Sequence, residues 1–541
     1  MKTIHLKTTA RSIARAANII KKGGLVAFPT ETVYGLGGSA ENAGSAKKIY
    51  AAKGRPSDNP LIIHVPHAED AERYAVTSDL YYRLADAFCP GPLTMIMPKK
   101  DTVPYEVTGG LDTVAVRIPS HPVARLFLEK CGVAVAAPSA NVSGSPSPTS
   151  ARHVAKDMDG RIDAIIDGGE CEIGLESTIV LLKDDRAVIL RPGAVTEEML
   201  SAVVPVSRDP SLLEKPSADF RPQAPGMKYR HYAPSSPLTL LRGPHGDAVE
   251  YMKAALKSDP STGVICLSSD RNIIRGKNVV YLPDEPSGQA RGLFSALRSF
   301  DDRGTPGILS VIPSRTGVGL AVCNRLVKAA GYDIRPVGIT IPVIGLTGQS
   351  GAGKSTVSKV FAGFGGTVFD CDEIYHSLLY PGSPLSKAVI AAFPESDSDG
   401  VPDRKKLSAA VFSDRGRLEL LNSITHGAVL DEVRAGIKRA EKAGASFAVV
   451  DASQLFEAGY DNECTAVIGV CAPYETRLGR IIARDGISAE RAASRLENQH
   501  NEDYFRVYCD EIIENGGKDG DLSALTAQVR RIIEKYVGWL K

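Results

Sequence analysis

Short apolar runs alternate with amphipathic stretches through roughly the first 200 residues. LVAFPT (25–30), LIIHV (61–65), AVAAPSA (134–140) and STIVLL (177–182) read as strands, while RSIARAANIIKKG (11–23) and VARLFLEKCG (123–132) carry apolar residues at helical spacing. Strands interleaved with helices predict an α/β domain over residues 1–204. The pattern then stops. Residues 205–236 are dense in proline and polar residues and have no periodicity, which predicts a linker. A smaller α/β pattern follows over 237–338, with strands at GVICLSS and GILSVIP and a helix at GLAVCNRLVKAAG. After a short joint, YDIRPVGITIP, a third unit spans 339–541 and opens strand, glycine loop, helix.

At about 150 residues per domain, 541 residues suit three or four domains, which agrees with this segmentation. A hydrophobic share of 43% and a charged share of 23% let each segment bury a core of its own. The net charge of +1 removes the electrostatic footprint of a stable nucleic-acid or membrane-surface binder, leaving room only for transient contact with RNA. Nine cysteines, without CxxC pairs or metal-ligand spacing, predict free thiols in a reducing compartment. The N-terminal stretch lacks the apolar run of a signal peptide, and no run of about 18 apolar residues occurs. A cytoplasmic protein with no membrane partner is expected.

The most specific chemical signal is GQSGAGKST (348–356). Gly348, Gly353, Lys354 and Ser355 fit G-x-x-x-x-G-K-[ST], with VIGLT before them as a strand and TVSKVFAGFG after them as a helix. Such a loop turns backbone N–H groups, including those of Gly351 and Thr356, toward phosphate oxygens at a helix N-terminus. Lys354 is expected on the β- and γ-phosphates and Ser355 on magnesium. Asp370 and Asp372 follow a second apolar strand, and one of them is a candidate base for a hydroxyl acceptor; Asp451 ends a third, a candidate to hold magnesium or position the acceptor; each equally suits a helix cap. Arg477, Arg480 and Arg484 lie at i, i+3 and i+7, the spacing of a cationic lid face or of a solvated basic helix.

These stretches, with DRKKLSAAVFSD, QLFEAGYD, RDGISAERAASRLENQ and DEIIENGG, resemble dephospho-CoA kinase over essentially all of 343–541. The resemblance implies a P-loop NTPase-type fold with a parallel sheet and ATP-dependent phosphorylation of the 3′-hydroxyl of dephospho-CoA. It also implies Asp372 as base, Lys354 on the transferred phosphoryl group and Arg484 in the lid. Two stretches depart from the family pattern: Asp451-Ala-Ser-Gln-Leu-Phe-Glu457 stands where the family has Asp-x-Pro-Leu-Leu-Phe-Glu, within which Ala452-Ser453-Gln454 is the departing stretch, and Gly427 replaces proline after His426. Both fall where the acceptor site is expected.

The residues in front of the phosphate loop carry a different set of signals. FPTETVYGLG, KGRPSDNPLIIHV, TVAVRIP, APSANVSGSPSPT, GLESTIV and RPGAV are polar insertions among apolar strands. Lys53 and Arg55 lie beside a glycine and a proline, in a stiff loop that aims two cations. Arg117 and Arg191 sit in or at the end of strands, and Ser139, Asn141, Ser143 and Ser147 add polar groups along one loop. Converging, they suit a polyanion; taken singly, each is ordinary surface or turn chemistry. Their order resembles the YrdC-like domain of L-threonylcarbamoyladenylate synthase over 5–200. APGMKYRHYAP (224–234) and 237–335 resemble the linker and the small, Rossmann-like second domain of that family's long form.

This resemblance implies condensation of L-threonine, bicarbonate and ATP to threonylcarbamoyl-AMP and pyrophosphate, a step toward threonylcarbamoyladenosine in tRNA. It places Thr32, His64, Arg117 and Ser177 on threonine, and Arg55, Asn59, Thr113, Ser139, Ser147 and Arg191 on ATP. Lys53 falls near the phosphates and Tyr232 folds over the nucleotide. A bifunctional enzyme using ATP at both sites, with magnesium and with tRNA or its modifying transferase as a transient partner, is thereby expected. The alternative is a nucleic-acid-binding module fused to a P-loop kinase of another small hydroxyl compound.

Overall fold

The computed structural model describes residues 2–209, 212, 222–224, 232–411, 414–497, 499–517 and 522–538. Of the expected linker motif at 224–234, residues 225–231 lie outside the described residues. The chain forms two compact units, one of residues 1–241 with 249–335 and the other of 242–248 with 336–541. The sequence reading groups 242–248 and 336–338 with the middle segment. In the structure these two pieces join each other, the Val337 N–H donating to the Arg242 carbonyl at 2.8 Å. Gly243, at φ 147°, lets the Val337 carbonyl approach to where a Cβ would stand.

The first unit is built on an eleven-stranded mixed sheet. Its helix Ala10–Lys21 follows from the pattern: Ile13, Ala16, Ala17 and Ile20 form one buried stripe, and Thr9 caps the start by accepting from the Ser12 N–H. Along the strand Val26–Phe28, Ala27 enters one core cluster and Val26 and Phe28 another, so the sheet is covered on both faces. The strands Ile62–His64, Thr113–Arg117, Leu93–Pro98 and Thr178–Lys183 are neighbours in that order. Register places His64 opposite Arg117, and Arg117 opposite Thr94, so motifs far apart in the chain meet on one rung.

A second, five-stranded sheet in the order Val279–Leu282, Gly263–Leu267, Ile308–Val311, Leu238–Arg242, Ile334–Pro336 belongs to the small α/β domain. Here the expected joint YDIRPVGITIP is corrected: Ile334–Pro336 within it is the edge strand of this sheet. Three residues beside a proline give too short a run to reveal a strand by pattern. Val33 and Leu175 of the larger domain are buried in one apolar cluster with Leu240, Phe294 and Leu326 of the smaller one. That shared core is why the two make one unit.

The second unit carries a parallel sheet ordered Thr367–Asp370, Ala448–Asp451, Val343–Gly348, Ala466–Cys471, Glu511–Glu514. Its central strand, Val343–Gly348, is buried throughout and ends on the phosphate loop. The expected α/β architecture, three α/β sheets of which the last belongs to a parallel-sheet P-loop unit, is the observed one. None of the nine cysteines is in a disulfide. No helix among the described residues is long and apolar enough to cross a membrane.

Candidate active sites

In the first unit, an open cavity is lined by Arg55, His64, Arg117, Ser177, Arg191 and Tyr232, among others. The rung described above supplies its floor. Arg117 donates from Nη2 to Glu31 Oε1 and to Thr32 Oγ1, both at 2.7 Å and all three residues buried. Glu31 also accepts from the Ser120 N–H. Ser177 shares a hydrogen bond with Thr94 and accepts from Arg191 Nη2 at 3.1 Å, while Arg191 Nε donates to the Ser177 carbonyl.

Arg55 Nη2 donates to the Asn59 and Pro60 carbonyls, which fixes the guanidinium against its own loop. Arg55 Nε, Arg117 Nε and both amide atoms of Asn59 are buried without a hydrogen-bond partner. Buried polar groups are almost always satisfied, so the unpartnered Arg55 Nε and Arg117 Nε in the cavity lining are donors open to a ligand. Burial pulls Arg55 and Arg191 down to about 10, which leaves both charged at neutral pH. Lys53 is placed differently from its neighbour Arg55. Its ammonium donates to the carbonyls of Ser139 and Asn141, the latter at 2.6 Å, and so braces the loop that presents Ser139 to the cavity. Ser147 donates to the Glu176 carboxylate. Thr113 begins the strand that Arg117 ends, about 13 Å away by strand rise, and, like Thr32, Lys53, Asn59 and Ser147, is not among the residues that line the cavity. Tyr232, at φ 64°, is buried and hydrogen-bonded to Arg191, with its ring 5.4 Å from that of Phe294.

Three residues of this site were missed by sequence reasoning: Glu31, Glu176 and Arg325. The first two stand inside quoted motifs, FPTETVYG and GLESTIV, where the hydroxyl residues beside them took the attention. Glu176 is buried, which pushes its carboxyl up, but Arg325 and Arg191 outweigh burial and hold it below the usual carboxylate range.

Burial, and then the Arg117 charge, hold His64 down to about 3, and burial holds His153 down to about 4. An unfolded histidine binds its proton near pH 6.5, so between that pH and the folded values the unfolded chain takes up protons that the folded one refuses. Stability of this unit is therefore expected to fall as pH drops from 6.5 toward 4, by about 1.4 kcal/mol per pH unit per histidine. Calorimetric unfolding across this range checks it. The variant His64→Gln should flatten the dependence, and a flat profile in the unsubstituted chain would contradict a neutral His64.

In the second unit, the strand Val343–Gly348 delivers the chain into the phosphate loop, and the helix Lys354–Gly363 leaves it. Gly351 and Gly353 have φ of 77° and 91°, and a Cβ would stand 2.7 Å from the Arg477 carbonyl at the first and 2.3 Å from Asn515 Nδ2 at the second. Only glycine fits either place. The loop is also held from outside: Gln499 exchanges two hydrogen bonds with Ser350, and Asn515 Nδ2 donates to the Ala352 carbonyl at 2.7 Å. Both clamps lie in quoted motifs, LENQ and ENGG, but no pattern assigned them a role.

Asp370 spends its carboxylate as a helix cap, accepting from the N–H groups of Asp372 and Glu373. Asp372 stays exposed in the first turn of that helix. Asp451 is buried and accepts from the Ser358 hydroxyl at 2.7 Å; burial raises its pKa, Lys354 opposes that, and Asp370 and Asp372 add repulsion. The three arginines of the helix Tyr474–Asp485 do not act alike. Arg477 is buried and donates to the Ala472 carbonyl, Arg480 donates to the Ala352 and Asn515 carbonyls beside the loop, and Arg484 forms a two-bond pair with its exposed neighbour Asp485. Gln454 of the first departure meets the residue that precedes the second: His426 Nε2 and Gln454 Oε1 are hydrogen-bonded at 3.0 Å.

Three family models match in series. The Sua5/YciO/YrdC model, described as telomere recombination, covers 18–193; the threonylcarbamoyl-AMP synthase C-terminal domain covers 195–331; dephospho-CoA kinase covers 342–521. A threonylcarbamoyl-AMP synthase of Pyrococcus abyssi is 47% identical over 324 residues, 59% of this chain and 94% of the relative. A dephospho-CoA kinase of Mesorhizobium japonicum is 41% identical over 198 residues, 36% of this chain and 97% of the relative. The chain belongs to both families. The solved structure of Pyrococcus abyssi Sua5 complexed with L-threonine aligns with a TM-score of 0.58 and 44% identity, covering 62% of this chain and all of that one. A threonylcarbamoyl-AMP synthase and a dephospho-CoA kinase thus share one polypeptide, each spanned over nearly the whole length of its relatives, and the chain combines a nucleotidyltransferase with a kinase.

Proposed function

We propose that the first unit condenses L-threonine, bicarbonate and ATP to threonylcarbamoyl-AMP and pyrophosphate, for threonylcarbamoyladenosine in tRNA. The observation that carries this reading is the convergence of Arg55, Arg117 and Arg191, from three separate motifs, on one cavity holding unpartnered donors. Thr32, His64, Arg117 and Ser177 form the threonine side; Arg55, Asn59, Ser139, Ser147, Arg191 and Tyr232 form the ATP side. The threonine amine attacks the carbon of bicarbonate and water leaves, and the resulting carbamate oxygen attacks the α-phosphorus as pyrophosphate leaves. No side-chain nucleophile is needed, since positioning and charge neutralisation suffice. A neutral His64 suits a site that must leave the threonine carboxylate to Arg117.

The second unit transfers the γ-phosphoryl group of ATP to the 3′-hydroxyl of dephospho-CoA. The phosphate loop holds the nucleotide, Lys354 stabilises the transferred group, and Asp372, free of the capping duty that occupies Asp370, accepts the hydroxyl proton. Arg484 must exchange Asp485 for phosphate when the lid closes. Magnesium fits the chemistry of this site: Asp370 and Asp372 add repulsion at the buried Asp451 carboxylate beside Lys354, and a divalent cation would relieve it. Ser355 and Asp451 would hold it, and it would neutralise charge on the transferred phosphoryl group. We place both activities in the cytoplasm, with contact to tRNA or its transferase confined to delivery of the first product.

Two product assays on one sample test this. Pyrophosphate release should require threonine and bicarbonate, and ADP formation should require dephospho-CoA. If pyrophosphate appears equally without threonine, or ADP equally without the acceptor, the corresponding half of the reading fails.

A further inference from the structure

The helix Gly317–Ala329 of the small domain buries Asn324, Arg325 and Lys328 along with its apolar residues. Arg325 is the largest fully buried side chain in the chain's described part. An arginine in that setting is costly. A buried ion pair is often replaceable by apolar side chains without loss of stability, so packing alone does not explain it.

What Arg325 touches does. Nε donates to Glu176 Oε2 at 3.0 Å, and Nη1 donates to the Pro192 carbonyl at 2.6 Å. The other carboxylate oxygen of Glu176 accepts from Ser147. The guanidinium carbon lies 5.7 Å from the centre of the Tyr232 ring. One side chain from the small domain thus fixes the residue before Ser177, the residue after Arg191, the hydroxyl of Ser147 and the ring of Tyr232.

Two further arginines of the same domain grip the same loops from the outside. Arg298 pairs with both oxygens of Asp157 and donates to the carbonyl of Pro146, next to Ser147. Arg291 Nε donates to the Glu172 carbonyl at 2.7 Å, and Gly174, at φ 79°, lets the Arg291 backbone approach to 2.6 Å from where a Cβ would be. By contrast, the Glu31–Arg117–Thr32 cluster on the threonine side is built entirely from the larger domain.

We propose that Arg325 is a positioning residue through which the small domain assembles the ATP side of the synthase site, leaving the Glu31–Arg117–Thr32 cluster that holds threonine to form without it. The proposal rests on the synthase reading of this cavity. It divides the site into an intrinsic threonine cluster and an ATP half that is set from the second domain, with Ser177 at the boundary between them.

The test uses the full chain with Arg325→Met, Arg325→Lys and the double variant Glu176→Gln/Arg325→Met. The readouts are the KM for ATP in threonine-dependent pyrophosphate release and the equilibrium affinity for threonine by calorimetry. Arg325→Met should raise the ATP KM at least about tenfold, the factor of one lost charge-assisted hydrogen bond, and leave threonine affinity within twofold. Arg325→Lys should recover part of the loss. The double variant removes the orphaned carboxylate, so it should regain thermal stability without regaining the ATP KM. An ATP KM within twofold of the unsubstituted chain in either Met variant would overturn the proposal. So would an equal loss of threonine affinity, which marks general disruption. Absence of threonine-dependent pyrophosphate release in the unsubstituted chain would instead remove the synthase reading itself.

Discussion

Lys354→Ala lowers dephospho-CoA-dependent ADP formation by about 10²–10³-fold or more, while threonine-dependent pyrophosphate release in the same sample stays within twofold of the unsubstituted chain. The magnitude is that of removing one preorganised charge from a phosphoryl-transfer site. The physical cause is visible in the charges around the residue. Lys354 is the cation that opposes burial at Asp451, and Asp370 and Asp372 face the same carboxylate. Without it, three acidic groups are left beside the place the γ-phosphate must occupy. A measured loss below tenfold would mean that Lys354 does not touch the transferred group. A parallel loss of pyrophosphate release would mean that the two activities are coupled.

Arg55→Ala produces the mirror image: pyrophosphate release falls by about 10²-fold or more, and ADP formation is retained. Arg55 is buried, with its guanidinium held by the Asn59 and Pro60 carbonyls and its Nε directed to no protein partner. The expected loss is that of a misplaced reacting group rather than of a surface charge. The substitution also strands two carbonyls, at about 1–3 kcal/mol each, so thermal unfolding has to be followed beside the assay. Arg55→Lys separates the causes. Lysine keeps the charge but cannot hold two carbonyls while presenting a further N–H, so activity should stay well below that of arginine although the fold survives. Full activity of Arg55→Lys would reduce Arg55 to a diffuse electrostatic role.

The phosphate loop is legible in the sequence, because its chemistry is local. Gly351 and Gly353 must adopt left-handed backbone, Lys354 must begin a helix, and all of this lies within nine consecutive residues. The same holds for the strands and helices of strong period, such as Ala10–Lys21 and Val343–Gly348. The six motifs of the first unit were legible as an ordered set, and their shared purpose came from resemblance rather than from spacing.

Only the tertiary structure decided which groups are available for chemistry. Lys53 and Arg55 are two residues apart, yet one is consumed by the carbonyls of Ser139 and Asn141 and the other retains an unpartnered donor. Asp370 and Asp372 look equivalent in TVFDCDEIYH, but helix geometry spends the first as a cap and leaves the second exposed. Arg325 has no signal at all in GLAVCNRLVKAAG. Its partners, Glu176 and Pro192, lie 149 and 133 residues away, and burial turns an ordinary basic residue of a helix into the fixture of a site. Sequence determines chemistry wherever the needed groups are neighbours in the chain and the backbone itself does the binding. Where function depends on which hydrogen bonds are already spent, the answer is set by burial and by distant partners, and only the folded chain holds both.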